Sequence, residues 1–177
     1  IHLEHRNCEA CMMKGDKVFR VVEKNCYETE DRKQQMEDTK VDIQVLSTIP
    51  VLFNYWAKAS DGLETSRFFN DHIAETVSRD PHHFIGLGTV PMQDTDLAIR
   101  EMERCIKELK MPGLEIGSNI NGKNLSDPAF FPFYAAAEKL GVALFIHPWE
   151  MMGETQMEKY WLPWLVGMPA ETARAIC

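Results

Sequence analysis

The sequence predicts an α/β protein, a partial (β/α)8 TIM barrel forming one incomplete domain over 1–177 with a small N-terminal hairpin insertion near 1–26. Four short runs rich in β-branched residues are nearly all apolar, as buried parallel strands are, and longer helical patterns separate them. A doubly wound sheet would carry a G-x-G-x-x-G turn or a phosphate-binding G-x-x-x-x-G-K-[ST] loop; neither is present, and Gly86-Leu-Gly88 lies inside a strand pattern. A barrel takes about 250 residues. Four strands in 177 residues make roughly half of one.

Each element has its own signal. GDKVFRVVEKNC turns at Gly15-Asp16 into a short strand, and ETEDRKQQMEDTKVD is a charged helix. IQVLSTIP (Ile43 to Pro50) is a strand closed by Pro50. The stretch ASDGLETSRFFNDHIAETVSRDP is a helix capped by Ser60 or Asp61 and stopped at Asp80-Pro81, with Leu63, Phe69, Ile73 and Val77 on one side. FIGLGTVP (Phe84 to Pro91) is the second strand. DTDLAIREMERCIKELKMPG starts a helix at Asp94, presents Ala98, Met102, Cys105, Ile106 and Leu109 on one face, and ends at Pro112-Gly113. GLEIGSN (Gly113 to Asn119) is the third strand. SDPAFFPFYAAAEKLG is a helix with Ser126 or Asp127 before Pro128 and Gly141 at its end. VALFIHP (Val142 to Pro148) is the fourth strand, and MEKYWLPWLVGMPAETARAIC is a helix broken at Pro163 and Gly167 that restarts near Pro169. Because the chain begins at Ile1 and stops at Cys177 inside the amphipathic PAETARAIC, it reads as part of something longer.

Composition narrows the function. At 45% hydrophobic and 26% charged residues the chain matches a globular protein with one core. The net charge of −8, with 19 Lys and Arg scattered along the sequence, argues against a nucleic-acid surface. No apolar run is long enough to span a membrane, and no signal-peptide layout opens the chain, so the expected compartment is the cytosol. The five cysteines are odd in number and are expected to be reduced thiols. Cys8-Glu-Ala-Cys11 has C-x-x-C spacing but lacks a second such pair, which weighs against a zinc knuckle or a redox motif.

Polar residues at strand C-termini are the first place to look for chemistry in a barrel. His147 is the last residue of VALFI-H, and position alone leaves two readings, a satisfied rim residue or a ligand. His2 and His5 do not share a face of an extended strand, where side chains alternate. His82-His83 precedes a strand, at the end away from an active rim, and His72 falls within a helix. Trp161 and Trp164 have the i, i+3 spacing of a packed helix face and read as core. Arg20, between Phe19 and Val21, is an edge residue or a carboxylate clamp.

The strings GDKVFRVVEKNC, QVLSTIPVLFNYWAK, FIGLGTVPMQ, AIREMERCIKELKMPGLEIGSNING, FPFYAAAEKLGVALFIHPWEM and KYWLPWLVGMPAET resemble the zinc-dependent decarboxylases of the amidohydrolase superfamily that serve tryptophan catabolism by the kynurenine route. The resemblance runs from about Gly15 to Cys177 and places the chain at about strands two to five of the barrel. It implies that His147 is the strand-five metal ligand, that Arg20 grips a substrate carboxylate, and that Met151 and Trp164 line the substrate pocket. The implied activity is that of a carbon-carbon lyase, non-oxidative decarboxylation of a small dicarboxylate. The implied cofactor is Zn2+, and the implied state of the complete protein is a homodimer. In that family strand one carries an H-x-H metal pair, a His-Gly-Gly stretch holds the acid/base histidine, and an aspartate ends strand eight; this sequence has none of these. No catalytic residue is therefore expected within this chain, and alone it is expected to be inactive. The alternatives are another decarboxylase or hydrolase of the superfamily, or a non-catalytic interaction module.

Overall fold

The computed structural model describes residues 2–6 and 9–177, with the side chains at 2, 3, 5, 6, 9 and 14 left aside. Cys8 of the C-x-x-C pair, and the side chains of His2 and His5, lie outside the described residues. Two compact units divide the chain, Ile1–Gln44 and Val45–Cys177.

In the first unit β1 (His2–Arg6), β2 (Glu9–Lys14) and β3 (Lys17–Val22) form an antiparallel sheet in chain order. Lys14 pairs with Lys17, so Gly15-Asp16 is a two-residue turn, and Gly15 supplies the left-handed φ of 60° that such a turn needs. The charged helix α1 (Thr29–Thr39) follows and ends at Lys40, itself left-handed, where Val41 N donates to Met36 O at 2.8 Å.

Helices and strands alternate through the second unit. β4 (Gln44–Leu46), α2 (Ala59–Arg79), β5 (Phe84–Gly88), α3 (Thr95–Lys107) and β6 (Gly113–Gly117) are followed by a minimal hairpin of β7 (Asn119–Ile120) and β8 (Lys123–Asn124). Then come α4 (Phe131–Leu140), β9 (Ala143–His147) and α5 (Met168–Ile176). The four long-range strands form one sheet in the order β4-β5-β6-β9. Strands β5–β6 and β6–β9 pair parallel, with β6 and β9 in register from Gly113↔Ala143 to Gly117↔His147. Strand order follows chain order, as expected of a (β/α)8 half-barrel. A Cβ on Gly113 would lie 2.5 Å from the Ala143 carbonyl, so only glycine lets these strands close up there.

Local chemistry explains most boundaries. Asp94 caps α3 by accepting from Leu97 N at 3.0 Å, and Asp127 does the same for Ala129 N at 2.9 Å ahead of α4. Gly141 ends α4 at φ 69°, with Val142 N bonded back to Ala137 O at 2.9 Å. Other expectations need correction. Helix α2 begins at Ala59 with Lys58 at its cap and no side-chain cap bond, because Ser60 Oγ turns to Asp61 Oδ1 at 3.0 Å. The strand predicted over 43–50 is extended only at Gln44–Leu46, since Pro50 already opens a helical turn over Pro50–Leu52. Trp161 and Trp164 are not core: Trp161 is 73% exposed and Trp164 half-exposed. Left-handed φ values at Tyr160 and Trp161 interrupt the helix, so an i, i+3 spacing no longer defines one face.

The sheet's two faces differ. On one, Phe84, Leu114 and Ile116 are buried in the strands, and the core continues into Ala98, Met102 and Cys105 of α3 and Phe133 and Ala137 of α4. The residues between them, at the alternate strand positions, point the other way.

Candidate active site

That other face is concave. Val45 and Ser47, Ile85 and Leu87, Glu115, and Phe145 and His147 line a hollow of about 690 Å³, with Thr48, Ile49 and Pro50 at its side. The strands run parallel, so their C-terminal ends share one rim, and His147, the last residue of β9, stands on it. Most of the lining is apolar. Its polar exceptions are Ser47, Thr48, Glu115 and His147. A largely apolar hollow with a few convergent polar groups is the usual form of a small-molecule site.

Glu115 is the least expected of these. It is only 2% exposed, and its Oε2 makes no hydrogen bond among the described residues. Burial pushes its carboxyl above the usual carboxylate range, while the Ser47 hydroxyl and the charge of His147 pull it back. In the sequence Glu115 sits inside GLEIGSN, a run whose apolar residues predict a buried strand and which does not by itself mark the acid as functional. The signal was there: an acid at the inward-facing position of GLEIG, flanked by Leu114 and Ile116 on the packed face.

His147 is partly buried, and its Nδ1 lies 2.8 Å from the carbonyl oxygen of Pro148. A carbonyl only accepts, so Nδ1 carries the hydrogen, and in the neutral form of the ring the lone pair is on Nε2. Met151 is buried next to Gly167, where a Cβ would come 3.4 Å from the Met151 Cβ. Trp164 is half-exposed in the turn Pro163–Gly167, and Arg20 is exposed on β3 of the N-terminal unit. The hollow thus brings His147 together with Glu115, which was not predicted, and Met151, Trp164 and Arg20 are not among its lining residues.

A second acidic centre lies behind the sheet. Glu101 of α3 is buried and accepts from Asn70 Nδ2 at 2.7 Å, Arg104 Nη2 at 2.7 Å and Arg67 Nε at 3.2 Å. Asn70 also donates to Thr89 O and accepts from Thr89 N, tying α2 to the end of β5. Burial, reinforced by Glu101, raises the neighbouring Cys105 thiol to about 12, which makes it inert.

The residues present do not by themselves fit a metal. Among those described no group of three or more His, Cys, Asp or Glu side chains converges to hold one, and a catalytic metal keeps about three protein ligands.

The family model for amidohydrolases matches residues 22–177. The chain belongs to the amidohydrolase family. This amidohydrolase chain is 57% identical over 173 residues to 2-amino-3-carboxymuconate-6-semialdehyde decarboxylase of Dictyostelium discoideum, covering 98% of the chain and 48% of that protein. Among solved structures it is similar to 5-carboxyvanillate decarboxylase of Sphingomonas paucimobilis, with 33% identity and a TM-score of 0.74 over 84% of this chain and 46% of that one. It is also similar to a dihydroxybenzoic acid decarboxylase of Polaromonas sp., with 28% identity and a TM-score of 0.73 over 81% and 46% of the two chains. The chain spans about half the length of the curated relatives it matches.

The expectation of zinc is overturned. The Polaromonas structure holds manganese with the inhibitor 2-nitroresorcinol, and the described residues here gather no zinc-type cluster. The polar residues that line the hollow with His147 are Glu115, Ser47 and Thr48, all oxygen donors, a type that manganese accepts.

Proposed function

We propose that this chain forms the strand-two to strand-five part of a non-oxidative decarboxylase, a carbon-carbon lyase, whose substrate is 2-amino-3-carboxymuconate 6-semialdehyde, an intermediate of tryptophan breakdown. The observation that carries the proposal is the 57% identity to the Dictyostelium decarboxylase over 98% of the chain. In this reading His147 offers Nε2 as one donor nitrogen on the rim. Arg20 grips a substrate carboxylate through its two-pronged guanidinium. Met151 and Trp164 line the substrate pocket of the complete protein outside the part that this hollow forms. Glu115 adds an acceptor for an N–H or O–H of the substrate, since its Oε2 has no partner among the described residues.

The four cysteines described are free thiols, which supports the cytosol as the compartment. Among the described residues no helix is long and apolar enough to cross a membrane. A homodimer of the complete protein belongs to the same proposal.

The test is turnover by the full-length protein, followed as carbon dioxide release from 2-amino-3-carboxymuconate 6-semialdehyde, with 5-carboxyvanillate and 2,6-dihydroxybenzoate offered in parallel. Turnover of the first and not of the aromatic acids is expected, and Arg20→Ala should raise KM by tenfold or more, since a charged clamp on a carboxylate is worth about 1.5–3 kcal/mol. Faster turnover of an aromatic acid would move the assignment to the branch of the solved relatives, and unchanged kinetics in Arg20→Ala would remove the clamp.

A further inference from the structure

Strand β9 ends at His147, and the five residues after it are held by an unusual amount of side-chain hydrogen bonding. Glu171 on α5 is buried, 4% exposed, although nothing in the metal or carboxylate chemistry above uses it. Its Oε1 accepts from the Ser118 hydroxyl at 3.2 Å, from Asn119 Nδ2 at 3.2 Å and from Arg174 Nη2 at 3.3 Å. Oε2 accepts from the Met152 backbone N–H at 3.3 Å. Asn119 Nδ2 reaches on to the carbonyls of Trp149 at 2.9 Å and Glu150 at 3.3 Å, and Glu150 sits at a left-handed φ of 47°. A non-glycine residue there persists only where its surroundings hold it.

One connection leads back to the imidazole. The Ser118 hydroxyl, donating to Glu171, accepts the Trp149 backbone N–H at 3.3 Å. That N–H and the Pro148 carbonyl belong to one planar peptide unit, so fixing the first fixes the direction of the second. The Pro148 carbonyl is the group that accepts from His147 Nδ1 at 2.8 Å. Ser118 N also donates to the His147 carbonyl at 2.9 Å, which pins the other side of the same residue.

We propose that Glu171 is a positioning residue for His147: through Ser118 and the Pro148–Trp149 peptide it holds the ring in the tautomer with hydrogen on Nδ1 and the lone pair of Nε2 turned to the site. The claim that Nε2 serves the decarboxylation rests on the functional reading above, whereas the clasp rests on geometry alone. The choice of tautomer matters because which ring nitrogen is free is decided by the hydrogen bond the other one makes. Outer partners of this kind change activity by about 10–100-fold when removed.

The experiment is 15N NMR of histidine-labelled, metal-free full-length protein, with the His147 ring signals assigned by their loss in His147→Gln. Wild type is expected to show a fixed Nδ1–H, Nε2-lone-pair ring. Glu171→Gln replaces the oxygen that accepts from Met152 or from Ser118 by an NH2 donor, and is expected to give mixed tautomers at His147, with kcat down about tenfold and KM within twofold. If Glu171→Gln does not fold by circular dichroism, Ser118→Ala carries the test, since it removes the hydroxyl that joins Glu171 to Trp149 N and leaves the bonds of Glu171 to Asn119, Met152 and Arg174 in place. A wild-type tautomer in either folded variant overturns the proposal. Should the wild-type enzyme not decarboxylate the substrate, the functional reading fails, and the ring spectrum still decides the clasp.

Discussion

On the helix-covered face of the sheet Phe84, Leu114 and Ile116 are all but completely buried, whereas on the concave face Val45, Ile85 and Phe145, equally apolar, are 56%, 36% and 52% exposed. The strands alternate side chains between these faces, so neighbours in sequence such as Leu114 and Glu115 belong to different environments. Burial on the first face drives folding, since each fully buried aliphatic side chain contributes about 1.5–3 kcal/mol. The second face contributes less to stability and is where His147 and Glu115 stand. A fold of this kind separates the work of holding together from the work of chemistry.

Substitutions can break that comparison. The largest effect is expected from Leu114→Ala, which leaves a cavity on the packed face and should cost about 4 kcal/mol, against about 0.5 kcal/mol for Phe145→Ala on the concave face. Urea denaturation of both variants measures the difference, and equal losses would mean that the faces share the load. Next comes Glu101→Ala, which removes the acceptor that Asn70, Arg67 and Arg104 share and leaves Asn70 its bonds to Thr89 and Arg104 its pair with Asp71. A loss of about 3 kcal/mol is expected, toward the lower end for removing one partner of a buried ion pair because Arg67 is half exposed to water. If thermal melts show a shift no larger than for an exposed surface pair, the network behind the sheet is not holding α2 to α3.

The smallest perturbation sharpens the contrast without changing the fold. Alkylation of the native protein at pH 8 with iodoacetamide should modify the exposed Cys26 and Cys177 and spare the buried Cys11 and Cys105. Cys105 is doubly protected, by burial and by a thiol pushed up to about 12, so almost none of it is thiolate at that pH. Peptide mass mapping reads this directly; rapid labelling of Cys105 would show that the helix-covered face opens.

Much of this was legible in the sequence, for reasons that are local. Asp94, Asp127 and Gly141 act on backbone groups close in sequence, so cap and stop signals predict where α3 begins, where the helical turn ahead of α4 opens and where α4 ends, whereas α3 already stops at Lys107, ahead of the predicted Pro112-Gly113. Strands β5, β6 and β9 are short apolar runs between such signals, and His147 is visible as the polar residue that ends one of them. The same local rules failed for Trp161 and Trp164, where two left-handed residues cancel the helical period that the spacing assumes.

What the sequence by itself determined is therefore the alternation of strands and helices, the half-barrel class and the position of His147 at a strand end, because each depends on periodicity and on hydrogen bonds between near neighbours. Only the tertiary structure decided which of the 27 acidic residues matter. Glu101 is set apart by Asn70, 31 residues away, and Glu171 by Ser118, 53 residues away, while Glu115 is singled out by the hollow that four strands close around it. An acid's role is set by the donors and the desolvation it meets, and those arrive from distant parts of the chain.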